Sequence, residues 1–218
     1  MKLGALPVTG LVIGLLAALQ IAPAAAQAAS PAASSNATAG KPCAGAEYPP
    51  EARRYELEGI TTLRFHIAPD GRVADARVDK SSGWALLDEA AIRTIQACSF
   101  TPAQAARAKG AALPVQYVWS LEGNRVRPQL LPGSCLASGR FAAFQTYENA
   151  PSGPDGVKVR FLVDDAGKPR RVRPEGASLP PATLDALVKY VESCRFGFDP
   201  SIKGERTDTA YGRVIYAR

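Results

Sequence analysis

The sequence predicts an α+β fold built of two tandem modules, each a small antiparallel sheet of about three strands with two helices on one face. Three observations carry this expectation. Period-two and helical patterns follow one another in the order helix, strand, strand, helix, strand. The same order recurs about 96 residues downstream, and the four cysteines fall two to each half.

The elements of the first half follow in order. Tyr48-Pro49-Pro50-Glu51-Ala52-Arg53-Arg54 reads as a short, proline-started helix. Over 60–67, Leu63, Phe65 and Ile67 alternate with Arg64 and His66, the signature of a half-buried strand. Pro69-Asp70-Gly71 is a hairpin signal, with a second strand at about 73–78. After Ser81-Ser82-Gly83, the residues Trp84, Leu87, Ala91 and Ile95 recur at helical spacing. Phe100-Thr101-Pro102 opens an Ala- and Lys-rich loop, and a last strand at about 113–121 sets Val115, Tyr117 and Trp119 on alternate positions. In the second half the front is marked weakly, by Phe141, Phe144 and Tyr147. A helical stripe of Leu184, Leu187, Val188 and Val191 follows Pro180-Pro181, and a final strand falls at 213–216.

Setting residue i against i+96 makes the repeat explicit. Leu63-Arg64-Phe65-His66-Ile67 falls on Val159-Arg160-Phe161-Leu162-Val163, Gly71 on Gly167, Cys98 on Cys194, Phe100 on Phe196 and Val118 on Val214. Leu87-Asp88 meets Leu184-Asp185 after a slip of one. Agreement in order across most of a domain marks a duplicated unit. It predicts one bridge per module, Cys43 with Cys98 and Cys135 with Cys194, at similar separations of 55 and 59 residues. Four cysteines formally allow three pairings, and free thiols or bridges between modules are the alternatives. Chain entropy assigns each such bridge about 4 kcal/mol, a large share of the stability of a domain this small. With no CxxC pair and a single histidine, a zinc site is poorly supported.

The N-terminus points to export. Lys2 precedes an apolar stretch from Leu11 to Ile21, and Ala26-Gln27-Ala28 fits small-x-small cleavage, so residues 1–28 read as a signal peptide. The stretch is short for a spanning helix, and Pro7 and Pro23 flank it. Removing 28 of the 218 residues leaves 190, and the formal charge falls from +6 to +5 because Lys2 is the only charge removed. Residues 29–42 are Ala, Ser and Pro with few large apolar groups, a disordered lead-in. The expected organisation is then a first module at 43–124, a linker at 125–132 and a second module at 133–218, in a periplasmic protein. No basic run with interleaved aromatics supports nucleic acid as a partner.

Tyr48-Pro49 with Ala52, then Gly59, Phe65, Asp70-Gly71-Arg72-Val73, Ser81-Ser82-Gly83, Leu87-Asp88, Ala90-Ala91 and Phe100-Thr101-Pro102-Ala103 together resemble the C-terminal domain of TonB. That family is the periplasmic end of the transducer that energises outer-membrane receptors. The resemblance covers about residues 44–122, and 133–218 looks like a diverged copy lacking the Tyr-Pro start and the Asp-Gly turn. It implies binding of a short extended segment of a TonB-dependent receptor, or of another envelope protein, added to a sheet edge. The matching positions are Val115, Gln116, Tyr117, Val118 and Trp119 in the last strand, and Tyr48 and Pro49 at the start. The sequence departs from the family in having no histidine before His66 and only 14 residues of lead-in, a reach of ~50 Å in place of a long Pro-rich spacer. These departures count against energy coupling, and binding can persist without it. The resemblance is also compatible with exchange of strands between chains.

Catalysis is not expected. His66 falls on the strand face opposite Leu63, Phe65 and Ile67, and Asp88-Glu89 and Asp164-Asp165 are sequence neighbours that do not converge on a substrate. No phosphate loop follows a strand, and no cofactor, metal or small-molecule substrate is expected. Two readings follow: a receptor-binding module with an open edge at 113–121, or a structural envelope scaffold in which the sister module covers that edge. Peptide mapping of the oxidised protein should return Cys43–Cys98 and Cys135–Cys194 peptides; a Cys98–Cys194 peptide would refute this pairing.

Overall fold

Glycine turns and proline-started helices set most element boundaries. The computed structural model describes Cys43 and residues 45–218; the expected signal peptide and lead-in lie outside the described residues. In chain order the first half contains α1 (Pro50–Arg54), β1 (Gly59–Ile67), β2 (Val73–Lys80), α2 (Ala85–Gln96), α3 (Pro102–Ala108) and β3 (Leu113–Trp119). Then come β4 (Arg125–Val126), β5 (Gln129–Leu130), β6 (Phe141–Thr146), β7 (Gly156–Val163), β8 (Pro169–Pro174), α4 (Pro181–Ser193), β9 (Phe196–Gly197), β10 (Glu205–Arg206) and β11 (Thr209–Tyr216). The fold is α+β, with two principal antiparallel sheets ordered β2-β1-β3 and β6-β11-β7-β8.

Each sheet has its own apolar cluster. Leu63, Phe65 and Ile67 of β1 pack with Leu87, Ala91 and Ile95 of α2, and Val157, Val159 and Phe161 of β7 pack with Leu187 and Val191 of α4. The hairpins correspond in detail. Both ladders are irregular at the same place, between Arg64 and His66 and between Arg160 and Leu162. Opposite that irregularity Asp75 and Arg171 take positive φ, 51° and 52°. Gly71 (φ 83°) and Gly167 (φ 74°) close the two turns. Their carbonyls accept from the amides of Phe100 (2.8 Å) and Phe196 (2.9 Å). A Cβ at either glycine would strike the phenylalanine carbonyl, so space and backbone conformation both demand glycine. Disulfides join Cys43 to Cys98 and Cys135 to Cys194, one to each half.

Three expectations are corrected, and the expected linker takes on short pairings of its own. The uniform count of about three strands and two helices per half does not hold: three helices accompany the first sheet, and the second has four strands and only α4. The Ala-rich stretch after Phe100 is helical because Thr101 and Gln104 form a reciprocal capping box around Pro102. The front of the second half is strand β6; a register shift opposite Ile215 and Tyr216 turns both Phe141 and Phe144, three apart, into the core. Residues 125–132, expected as a linker, include β4 paired with β10 and β5 paired with β9.

The last strand also slips by one against the expected repeat. Phe65 lies opposite Leu113, and its counterpart Phe161 lies opposite Ala210, so β3 and β11 correspond at an offset of 97. Val118 therefore matches Ile215, not Val214. Burial agrees: Val118 is 67% exposed and Val214 is 0% exposed, which identical positions in a half-buried strand would not be.

Strand β7 is buried on both faces. While its valines and Phe161 face α4, the alternate residues Lys158, Arg160 and Leu162 meet the first half. Lys158, 1% exposed, donates from Nζ to the Gly83 carbonyl at 2.6 Å and lies 3.5 Å from the centre of the Trp84 ring. Arg160 bridges Glu51 (2.9 Å) and the buried Glu175. Glu56 accepts from Thr209 Oγ1 at 2.8 Å and pairs with Arg125 at 3.4 Å, and Arg54 grips Asp208 with both amino groups. Buried charges of this kind persist only when paired and hydrogen-bonded.

Burial pushes the Lys158 ammonium down from 10.5 to about 8, against the opposing pull of Glu175 and Asp88. Below pH 8 both folded and unfolded chains carry the proton; between about 8 and 10.5 only the unfolded chain does. The unfolded state then binds more protons, so stability from this group rises with pH, by up to about 3 kcal/mol over the whole window. Tyr48, pushed up to about 12 by burial, acts in the opposite sense above pH 10. Urea unfolding between pH 7.5 and 9.5 should show stability climbing in the natural chain and flat in Lys158→Met; equal slopes would contradict the assignment.

Candidate partner-binding edge

Strand β3 pairs with β1 over its whole length, from Leu113 opposite Phe65 to Trp119 opposite Gly59, and no strand among the described residues pairs with its outer side. The direction of its free backbone groups follows from Pro114, which has no N–H and fits an edge strand with its nitrogen turned away from the neighbour. Residues 114, 116 and 118 thus face outward, and 113, 115, 117 and 119 face β1. Strand β11 shows the same parity with its outer side occupied. The carbonyl of Tyr211, the counterpart of Pro114, accepts from the Tyr147 amide at 2.9 Å, and the Ala217 amide donates to the Arg140 carbonyl at 2.9 Å, both on the β6 side. The amides of Gln116 and Val118 are left as donors on the outer edge of β3.

Side chains alternate across the strand. Val115 and Tyr117 are half-buried on the helix side with the fully buried Trp119. Gln116 and Val118 are exposed on the opposite face, where Gln116 Nε2 donates to Thr62 Oγ1 at 3.2 Å and Val118 lies beside the exposed Ile60. The structure brings Tyr48 to this strand: its ring meets Trp119 edge to face at 5.5 Å, and Arg53 lies 5.0 Å above it. The Tyr48 hydroxyl donates to the Leu57 carbonyl. Burial, reinforced by Glu58, pushes this phenol up to about 12. Burial raises Tyr117 as well. Pro49 lies apart from the strand, in a shallow cleft with Glu47, Pro50, Ala90, Arg93 and Thr94. Trp119 is a core residue and Tyr117 a partly buried one, while Gln116 and Val118 are open to a partner.

Sequence reasoning missed the role of Asp88. Its Oδ1 accepts from Thr61 Oγ1 at 2.8 Å and from the Ser82 amide at 2.9 Å, and its Oδ2 accepts from Ser81 Oγ. Thr61 Oγ1 in turn accepts from Trp119 Nε1 at 3.1 Å. One carboxylate on the first turn of α2 thus fastens the Ser81-Ser82-Gly83 turn and the end of β3 together. The signal was available: Ser81-Ser82-Gly83 followed by an acid six or seven residues after the serines is a turn-and-helix-start pattern. His66 is half-buried on the face opposite Phe65, with Nδ1 3.7 Å from Asp75 across the hairpin.

The first half combines a three-stranded sheet ending on β3, a Tyr-Pro start packed on its final tryptophan and a serine-glycine turn fastened to α2, and over this stretch it is similar to one known family. Residues 44–119, which end on the last residue of β3, match the family model described as Gram-negative bacterial TonB protein C-terminal. A curated relative, protein tonB2 of Pseudomonas aeruginosa, is 41% identical over 58 residues, a match that covers 27% of this chain and 22% of that protein. No helix among the described residues is long and apolar enough to cross a membrane.

Replacing Tyr48 by phenylalanine leaves the part-buried Leu57 carbonyl without its donor. Chemical unfolding at pH 7 should register a loss of about 1 kcal/mol, with the edge-to-face packing on Trp119 kept. An unchanged midpoint would show that the hydroxyl contributes nothing.

Proposed function

We propose that this chain is a periplasmic binding protein of the TonB type. It engages extended segments of outer-membrane receptors, or of other proteins of the envelope transport machinery, by strand addition at β3. It binds and does not catalyse. The observation that carries this reading is the outward-facing backbone of Gln116 and Val118, unpaired among the described residues, on a strand that ends the matched family domain. Main-chain bonds supply affinity in such a mode, and neighbouring side chains, here Tyr117, Val118 and Ile60, supply selectivity.

The proposed organisation is tandem, with a first module at 43–124, a linker at 125–132 and a second, diverged module at 133–218, in a chain exported through a signal peptide at 1–28. Shared strand order, the equivalent ladder irregularities, the paired turn glycines and one disulfide in each half support duplication of one unit. The scaffold reading requires the sister module to cover β3. The second half instead meets Gly83, Trp84 and α1, away from that edge, which favours a binding role.

Titration of the 15N-labelled chain with a capped TonB-box-like peptide should shift the amides of residues 113–121 in a saturable way. Val118→Pro removes an outward donor without touching the bonds to β1. It should weaken binding by about tenfold or more, the loss of at least one net hydrogen bond, while Val118→Thr binds nearly as the natural chain does. Saturable binding indifferent to Val118→Pro would place the partner elsewhere, and no saturable shift in the first module would remove the proposal.

A further inference from the structure

We infer that, of the two corresponding last strands, only β3 offers an accepting edge: the outer side of β11 is held by the chain's own β6, leaving β3 to take a single short, uncharged extended segment of a partner protein. The inference rests on the strand-addition reading of β3 and adds to it the occupancy of the sister edge and the length and charge of the segment.

The corresponding strands differ at their outer edges. At an offset of 97, Val115 to Trp119 of β3 match Gly212 to Tyr216 of β11, the five residues along which β6 pairs. In the second half that edge is filled, antiparallel, by residues 141–146 of the same chain. Strand β6 thus occupies the place on β11 that an added strand would take on β3.

The two edges also differ in how firmly they can hold a strand. Phe144 of β6 is buried against Phe161 (5.6 Å) and Phe196 (5.8 Å), the counterparts of Phe65 and Phe100. It reaches them across Gly212, where a Cβ would collide with the Phe144 ring and with the carbonyl of Gln145. Phe141 adds a second anchor against Tyr190 and Tyr216. At the position of Gly212 the first half has Val115, whose side chain already takes the space beside the core. A strand added to β3 has no aromatic route inward, so it is held by backbone bonds and surface contacts alone. That suits a partner that arrives and leaves, whereas β6 is fixed.

The open edge also sets the kind of segment. Pro114 supplies no donor, so pairing runs from the Pro114 carbonyl through the Gln116 and Val118 amides, a span that admits about five residues. The side chains around it on the open face are Gln116, Val118, Thr62 and Ile60, and Arg64, opposite Pro114, is taken by Asp79 at 3.1 Å. None of those four side chains carries a charge to pair with one on the incoming strand.

Amide hydrogen exchange on the full, oxidised chain without any peptide tests the occupancy. Arg213, Ile215 and Ala217 should be protected more than Gln116 and Val118 by a factor on the order of 100 or more, the difference between a paired and an open edge. Gly212→Val should abolish protection at Arg213 and Ile215 and leave the first half unchanged; if that variant does not fold, the comparison within the natural chain still decides. Fast exchange at Arg213 and Ile215, or protection at Gln116 and Val118 matching theirs, would overturn the inference. A TonB-box-like peptide that protects Gln116 and Val118 alone supports both the inference and the binding function. The predicted free-chain pattern with no peptide protection would leave the occupancy of β11 standing and remove only the receptor-binding reading.

Discussion

Backbone hydrogen bonding governs this molecule more than any side chain does. Every strand edge must be paired, covered or left to water, and the two sheets answer that demand differently. In the second sheet the chain returns on itself with β6 and completes a four-stranded arrangement. In the first, the ladder stops at β3 with two outward amides beside a proline. Around that difference the remaining architecture is closely shared: the same turn glycine, the same positive-φ residue in the second strand and the same reach of a phenylalanine amide back to the turn.

The β3 edge is set in a network of packed and hydrogen-bonded side chains. Trp119 closes the strand by packing under Tyr48 and donating to Thr61, which Asp88 holds in place. The second half braces this assembly from behind, with Lys158 under Trp84 and Arg160 between two glutamates. In the proposed binding mode, ordering a segment on a preformed template costs the segment's own entropy and little of the template's. The charged side chains on β7 serve docking and lie away from the partner edge.

Much of the first half was legible because its patterns are regular. The alternation of Leu63, Phe65 and Ile67, the glycine of the turn and the spacing of Leu87, Ala91 and Ile95 each report a local period that burial enforces. Failures came where a local irregularity broke the period. A ladder irregularity put Phe141 and Phe144 on one face of a strand, which reads as helical spacing in one dimension. Similarly, a capping box made a helix of an Ala- and Lys-rich stretch. The one-residue slip of the final strand escaped notice because valines occupy both Val118 and Val214, although one is exposed and the other is core. Within the candidate site, Val115 to Trp119 could be read as a strand, but which of its residues face outward needed Pro114 and the parity of β11. Lys158 and Arg160 alternate with Val157, Val159 and Phe161, and only the docked first half explains their burial.

In the proposed duplication one copy keeps its edge free for a partner and the other closes its own. Native mass spectrometry of the full chain with excess TonB-box-like peptide measures that directly, as the number of segments held per chain. One is predicted; a second bound segment, or saturation at none, would contradict it.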